Sequence, residues 1–148
     1  MAQSGADAFV FYGASGDLAY KKIFPALQAL TRRGRLDMPV IGVARSPWSL
    51  DQFRARARES VEKNGGVDPQ AFEKLARSLR YISGEYTSPE MFDRLRQALG
   101  GARRPVHYLA IPPSLFVGVV EQLGRSLCSC GAGVIIEKPF GRSLESAR

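Results

Sequence analysis

The feature of this sequence that most narrows its fold is the regular exchange of short apolar runs with helical patterns. Ala8–Tyr12 is apolar and aromatic and stops at Gly13; Leu18–Leu30 follows, with Tyr20, Ile23, Phe24, Leu27 and Leu30 at helical spacing. Pro25 lies inside that pattern, where its missing N–H and its ring, crowding the Lys21 carbonyl, predict a kink. Gly34 is placed to end the helix. A second strand-like run, Pro39–Ala44, precedes Ser49-Leu50-Asp51-Gln52, a capping-box pattern opening a helix that reaches about Lys63 and closes at Asn64-Gly65-Gly66. Asp68-Pro69 supplies a cap followed by proline at the first helical position. Leu79–Ser83 reads as a third strand, Ser88-Pro89 and Gly100-Gly101 bracket a helix, and Val106–Ile111 reads as a fourth strand. Ser114–Leu127 has helical spacing, and Val134–Glu137 reads as a fifth strand. Strands separated by helices pair in parallel through crossovers, so the expected fold class is α/β, a doubly wound parallel sheet of the Rossmann type.

In such a sheet the turn from the first strand to the first helix is where a dinucleotide pyrophosphate binds, on backbone N–H groups at the helix mouth. Here that turn is Gly13-Ala14-Ser15-Gly16-Asp17-Leu18. Gly13 can take the tight bend, and Gly16 lets a phosphate approach with no Cβ in the way. The match to G-x-G-x-x-G is partial, because Ser15 and Leu18 stand where the second and third glycines would be. Ser15 can add a hydroxyl donor, and Leu18 implies looser packing of helix on sheet. Asp17 has two readings, a cap favoured by the helix dipole or a direct ligand contact. Lys21 and Lys22 follow, as ordinary exposed lysines or as a basic flank to the phosphates.

The second strand bears on which dinucleotide. NAD-binding sheets place a carboxylate near the end of that strand to accept from the adenosine ribose. This chain has Val43-Ala44-Arg45-Ser46 there, without one. An arginine suits a ribose 2′-phosphate, so the expected cofactor is NADP, the competing reading being a plain surface arginine. Ligands of open α/β sheets sit at the carboxyl ends of the strands, which directs attention to two more strand ends. Ile111-Pro112-Pro113 forms a rigid edge, suited to lie against a flat ring or simply to open a helix. Glu137-Lys138-Pro139-Phe140-Gly141 would project the Lys138 ammonium into the same crevice, to hold a phosphate or a substrate hydroxyl. His107, the only histidine, lies inside the fourth strand and reads as structural.

The formal net charge of +7 raises nucleic acid as a partner. The basic residues are dispersed, however: Arg32, Arg33 and Arg35; Arg54, Arg56 and Arg58; Arg103 and Arg104. The middle group recurs at every second position of a helix, so it fans around the axis and reads as solvated surface, not a binding stripe. A non-catalytic basic module that contacts nucleic acid or a protein partner is the alternative that this charge leaves open. Cys128 and Cys130 form a lone C-x-C, without the partners of a metal site or a disulfide framework. No apolar run approaches the ~20 residues that span a bilayer, and the expected location is the cytoplasm.

Taken together, Gly13-Ala14-Ser15-Gly16-Asp17-Leu18-Ala19 with Lys22, Val43-Ala44-Arg45-Ser46, Leu109-Ala110-Ile111-Pro112-Pro113 and Glu137-Lys138-Pro139-Phe140-Gly141 resemble the glucose-6-phosphate dehydrogenase family from about Phe9 onwards. The resemblance implies an NADP-binding N-terminal domain of an enzyme that oxidises glucose 6-phosphate at C1 to 6-phosphogluconolactone. It puts the Gly13–Leu18 turn and Lys22 at the cofactor phosphates and Arg45 at the 2′-phosphate. It puts Glu85 and Tyr86 at the adenosine side, Pro112 beside the nicotinamide, and Lys138 between cofactor and substrate. Tyr20 departs from a basic residue usual in the family, and Phe116 from a tyrosine found in some members. The family's catalytic histidine, its sugar-phosphate ligands and the large sheet domain that makes the dimer follow the EKPFG segment. Residues 1–148 are therefore expected to form the NADP-binding domain alone, incomplete at its C-terminus, binding cofactor without turnover. Ser143-Leu144-Glu145-Ser146, a helix start shortly before Arg148, carries the same expectation of a longer parent.

Overall fold

In a computed structural model of the chain, the described residues are 7–34, 36, 38–86, 88–100, 105–126 and 133–136. Five strands, β1 (Ala8–Tyr12), β2 (Val40–Ala44), β3 (Leu79–Ser83), β4 (Pro105–Leu109) and β5 (Gly133–Ile136), form one sheet in the order β3-β2-β1-β4-β5. Every pairing is parallel, with Tyr12 opposite Val43 on one side and Leu109 on the other. The strand order reverses at β1, so the crevice between the carboxyl ends of β1 and β4 is the switch point where such sheets take ligands.

Side chains alternate across β1 as a strand must. Phe11 faces one layer, built by α1 (Phe24–Arg32), α2 (Leu50–Lys63) and α3 (Pro69–Ser78), with Phe24, Phe53 and Leu75 in its core. Val10 and Tyr12 face the other, where α4 (Pro89–Leu99) contributes Met91, Phe92 and Leu95 and α5 (Phe116–Ser126) contributes Val119. Gly42 sits on the first face of β2 because Phe53 occupies the space of a side chain there: a Cβ would stand 2.4 Å from the Phe53 Cζ. The ring thereby seats α2 against the sheet.

The helix starts are made by the local devices that the sequence contains. Ser49 and Gln52 close a reciprocal capping box at α2, with bonds of 3.1 and 2.8 Å. Asp68 accepts from the Ala71 amide at 3.2 Å and Ser88 from the Met91 amide at 3.4 Å. Proline opens both α3 and α4.

The expected kink at Pro25 is replaced by something more specific. Ala19–Ile23 winds as a π-helix, and the Phe24 amide donates to the Ala19 carbonyl. The wider turn takes up one extra residue ahead of the proline, which then sits in the first turn of α1, where a missing N–H is harmless. The turn also shifts the phase of the buried face. Ala19, Ile23, Phe24, Leu27, Gln28 and Thr31 are buried, whereas Leu30, expected on that face, is exposed. Neither Phe24 nor Pro25 donates to the Tyr20 carbonyl, and α2 with its C-cap fills the gap: the Ser60 hydroxyl donates to it, as does the side-chain Nδ2 of Asn64 at 3.3 Å.

Several boundaries shift from expectation by a residue or two, and two of the shifts have a visible cause. β4 ends at Leu109, not Ile111, because the chain bends there across the turn that follows β1, the Ala110 amide donating to the Tyr12 carbonyl at 3.0 Å. The last helix is entered through a short 3-10 turn, Pro113–Leu115, so α5 begins at Phe116. Glu137–Gly141, with Lys138, and the residues 143–146 lie outside the described residues, as do Cys128, Cys130, Arg35, Arg103 and Arg104.

Ser60 is fully buried, so Ser60→Ala leaves the Tyr20 carbonyl with the Asn64 side-chain amide alone. The expected cost is about 1–2 kcal/mol, read as a thermal midpoint lowered by about 3–6 °C for a domain of this size.

Candidate functional site

The turn after β1 is tied down at its start and open at its end. The amides of Gly13 and Ala14 both donate to the Val43 carbonyl of β2, at 2.9 and 3.1 Å. The Gly16 amide closes the turn on the Gly13 carbonyl at 2.9 Å, and the Tyr20 amide takes the Gly16 carbonyl at 3.1 Å. Among the described residues, the amides of Ser15, Asp17 and Leu18 donate to nothing. These free N–H groups gather at the positive end of the π-turn and α1, the arrangement that holds an anion.

Gly13 is irreplaceable here for two separate reasons. Its φ is +86°, and a Cβ would lie 2.1 Å from the Ala110 carbonyl oxygen, where the chain leaving β4 passes over it. Ala14 is fully buried beneath the turn, and Gly16 and Asp17 are exposed at its mouth. Asp17 makes no capping bond: its carboxylate has no hydrogen-bond or ionic partner among the described residues. Lys21 and Lys22 are exposed one turn further on, on the π-helix.

Arg45 emerges from the end of β2, two residues beyond the carbonyl that anchors the turn. Its Nε lies 3.2 Å from Glu85 Oε1 at the end of β3, and the two side chains are 65% and 64% exposed. The predicted residues Arg45 and Glu85 are thus brought together, as an ion pair on the rim of the crevice. Tyr86, its neighbour, turns inward: it is only 7% exposed and meets Tyr12 edge to face, 6.3 Å between centroids. Burial raises the Tyr86 pKa, opposed by the Gly13 backbone and Arg45, so the phenol is neutral under the turn. Pro112 is exposed at the far lip, after β4. His107 is fully buried in β4, with its Nδ1 2.9 Å from the Tyr12 hydroxyl and the two rings stacked, the structural place expected of it.

The loop between β2 and α2 forms the remaining wall. The Tyr81 hydroxyl donates to the Ser46 carbonyl at 2.5 Å, and the Trp48 amide donates to the same oxygen at 2.9 Å. Trp48 lies against Tyr81 with 5.9 Å between ring centroids. This wall holds a residue that sequence reasoning placed in solvent. Arg54 and Arg58 do turn away from the crevice, Arg54 to the Ala76 carbonyl at 2.9 Å and Arg58 to Glu62 at 3.6 Å. Arg56 does not: its guanidinium lies 4.2 Å above the Tyr20 ring, 5.9 Å from Trp48, and reaches the Ser15 carbonyl at 3.4 Å. The only sequence sign of this was that both Tyr20 and Trp48 are aromatic and flank the two turns; their meeting is a property of the folded chain.

Known proteins resemble the chain over nearly its whole length. The family described as "Glucose-6-phosphate dehydrogenase, NAD binding domain" matches residues 10–148. Glucose-6-phosphate 1-dehydrogenase 1 of Mycobacterium tuberculosis is 41% identical over 141 residues, covering 95% of this chain and 30% of that protein. Glucose-6-phosphate 1-dehydrogenase of Saccharomyces cerevisiae is 40% identical over 151 residues, covering 93% of this chain and 30% of that one. The crystal structure of glucose-6-phosphate 1-dehydrogenase from Mycobacterium avium superposes with a TM-score of 0.86 at 44% identity, over 97% of this chain and 32% of that one. A glucose-6-phosphate dehydrogenase in complex with its substrate glucose-6-phosphate superposes with a TM-score of 0.78 at 34% identity, over 99% and 34%. This chain spans about a third of the length of these relatives.

The tyrosines that floor the rim give it a pH limit. Burial, reinforced by Tyr86, pushes the Tyr81 phenol from 10.0 up to about 12, and Tyr86 is raised as well. The folded state therefore holds these protons more tightly than the unfolded chain. The stability this confers is complete below the unfolded value of about 10 and is lost as pH climbs through the folded value. Urea midpoints measured against pH are expected to hold steady to about pH 9 and then fall, the fall being shallower in Tyr81→Phe.

Proposed function

The chain belongs to the glucose-6-phosphate dehydrogenase family, as its nucleotide-binding domain, and from that premise we propose that it seats NADP at the carboxyl ends of β1, β2 and β4. The observation that carries this reading is the set of free amides at Ser15, Asp17 and Leu18 on the same rim as the Arg45 guanidinium. A pyrophosphate needs N–H donors with no Cβ above them, which Gly16 supplies; a 2′-phosphate needs a cation beside the second strand, which Arg45 supplies. Lys22 adds charge at the phosphates, and Asp17 contributes its backbone amide while its carboxylate stays in solvent. Glu85 holds Arg45 in place before cofactor arrives. An exposed pair of this kind is worth only about 0–1 kcal/mol, so Arg45 turns to a phosphate at little cost. Glu85 is then left at the adenosine side, with Tyr86 packed below. Pro112 borders the nicotinamide end of the crevice.

Bound there, NADP supplies the hydride acceptor. We assign the whole protein the oxidation of D-glucose 6-phosphate to 6-phosphogluconolactone, with Lys138 positioned between sugar and cofactor. A relative of the same fold that holds glucose-6-phosphate supports that substrate. His107 offers no base for it, being fully buried between β1 and β5. The chain on its own binds NADP and does not turn over.

The test is a titration of the chain with NADP and NAD. Arg45→Ala is expected to weaken NADP by roughly 10- to 100-fold, the worth of a charge-assisted hydrogen bond, and to leave NAD within about twofold. Equal losses for the two cofactors overturn the 2′-phosphate assignment. Steeply salt-dependent binding of duplex DNA, with no preference for a dinucleotide, supports instead a basic module without catalysis, the reading that the net charge of +7 favours.

A further inference from the structure

Arg56 differs from the other arginines of α2 in being half-buried against two aromatic rings and the turn. Its guanidinium is laid over the Tyr20 ring at 4.2 Å and within 5.9 Å of the Trp48 ring. Its Nη2 donates to the Ser15 carbonyl, in the turn itself, at a long 3.4 Å. Its Nε is buried and has no hydrogen-bond partner among the described residues. No carboxylate among them lies within ion-pair distance of it, in contrast to Arg45, Arg54, Arg58 and Arg77. A cation stacked on aromatic faces, short of acceptors and beside free amides is held ready for an anion that is not part of the chain.

The stack is fixed from several sides. The Tyr20 carbonyl is held by Ser60 and Asn64, from the helix that carries Arg56 and from its C-cap. The Tyr20 phenol lies by Lys63 and, ahead of Glu59, raises the pKa of that ammonium. Trp48 belongs to the loop that begins with Arg45, a loop pinned by the Tyr81 hydroxyl. Arg56 therefore bridges the phosphate turn on one side and the Arg45 loop on the other. The space between those two walls lies on the β2 side of the crevice, away from Pro112 beyond β4.

Building on the reading of this crevice as an NADP seat, we propose that Arg56 is a second guanidinium of the 2′-phosphate site, pre-oriented by its stack on Tyr20, and a determinant of the preference for NADP over NAD. Arg45 approaches the phosphate from the open rim and Arg56 from the α2 side. The two differ in preparation: Arg45 must leave Glu85, whereas Arg56 has no ionic partner to leave among the described residues. Stacking also keeps the planar fork in one orientation, so less freedom is lost when it meets the phosphate oxygens.

The experiment measures dissociation constants of NADP, NAD and 2′,5′-ADP for the chain and for Arg56→Met, which keeps an apolar stem on the Tyr20 ring. NADP and 2′,5′-ADP are expected to weaken about tenfold, with NAD changed by less than about twofold. A residue that only braced the turn, or that held the pyrophosphate, would weaken NADP and NAD alike, and that result overturns the proposal. So does an unchanged NADP constant. If Arg56→Met does not fold, as judged by its thermal midpoint, Arg56→Lys carries the test: it keeps the charge and loses the planar fork, and the NADP-to-NAD ratio is expected to drop by about threefold. An unchanged ratio in that variant overturns the proposal too. Loss of preference in Arg45→Ala with the ratio intact in Arg56→Met removes Arg56 from the site and leaves the NADP seat standing. A chain with no preference for NADP to begin with overturns both.

Discussion

One carbonyl organises this site. The Val43 oxygen accepts from the amides of Gly13 and Ala14 together, at 2.9 and 3.1 Å. That double bond to β2 pulls the turn across the top of the neighbouring strand as soon as β1 ends. It commits the first two amides of the turn to structure and leaves those of Ser15, Asp17 and Leu18 facing outward. It also places Arg45 by simple chain continuity, since the arginine follows two residues after the anchoring carbonyl. The register of β1 on β2, Tyr12 opposite Val43, thus decides both where the free amides gather and where a guanidinium stands beside them. The same pull brings Gly13 under the Ala110 carbonyl, which is why the bend admits no side chain.

The second constraint is the proline at position 25. A helix that met it in mid-course would lose a backbone bond and kink. The π-turn ahead of it avoids the clash by rotating the preceding residues, so that Ala19 packs inward and Tyr20 comes out at the flank of α2. From that flank Tyr20 presents its carbonyl to Ser60 and Asn64 and its ring to Arg56. A residue chosen for helix geometry therefore has a consequence for charge at the crevice.

The donors gathered around the turn are suited to holding an anion. The polar groups around the turn are backbone donors, two guanidinium groups, lysines and the carboxylates of Asp17 and Glu85, with the Tyr81 and Tyr86 phenols kept protonated by burial beneath them. Such a donor set suits phosphate oxygens.

Much of this was legible in the residues. The strands, the caps at Ser49, Asp68 and Ser88, and the glycine bend at Gly13 follow from the preferences of neighbouring residues along the chain, and these do not depend on what packs against them. The place of Arg45 at the end of the second strand was legible for the same reason. The exposure of Leu30 was not, because a π-turn a few residues earlier changed the helical phase, and a spacing count assumes an unbroken period. The role of Arg56 was equally hidden: a helical wheel gives the direction in which a side chain leaves its own helix, not the surface it meets. By itself, then, the sequence determined which segments become strands and helices and where the turn must contain glycine. Only the tertiary structure decided that Gly42 leaves room for Phe53, that Glu85 faces Arg45, and that Tyr20 and Trp48 converge on Arg56. These are meetings between residues distant in the chain, and nothing in local backbone preference encodes them.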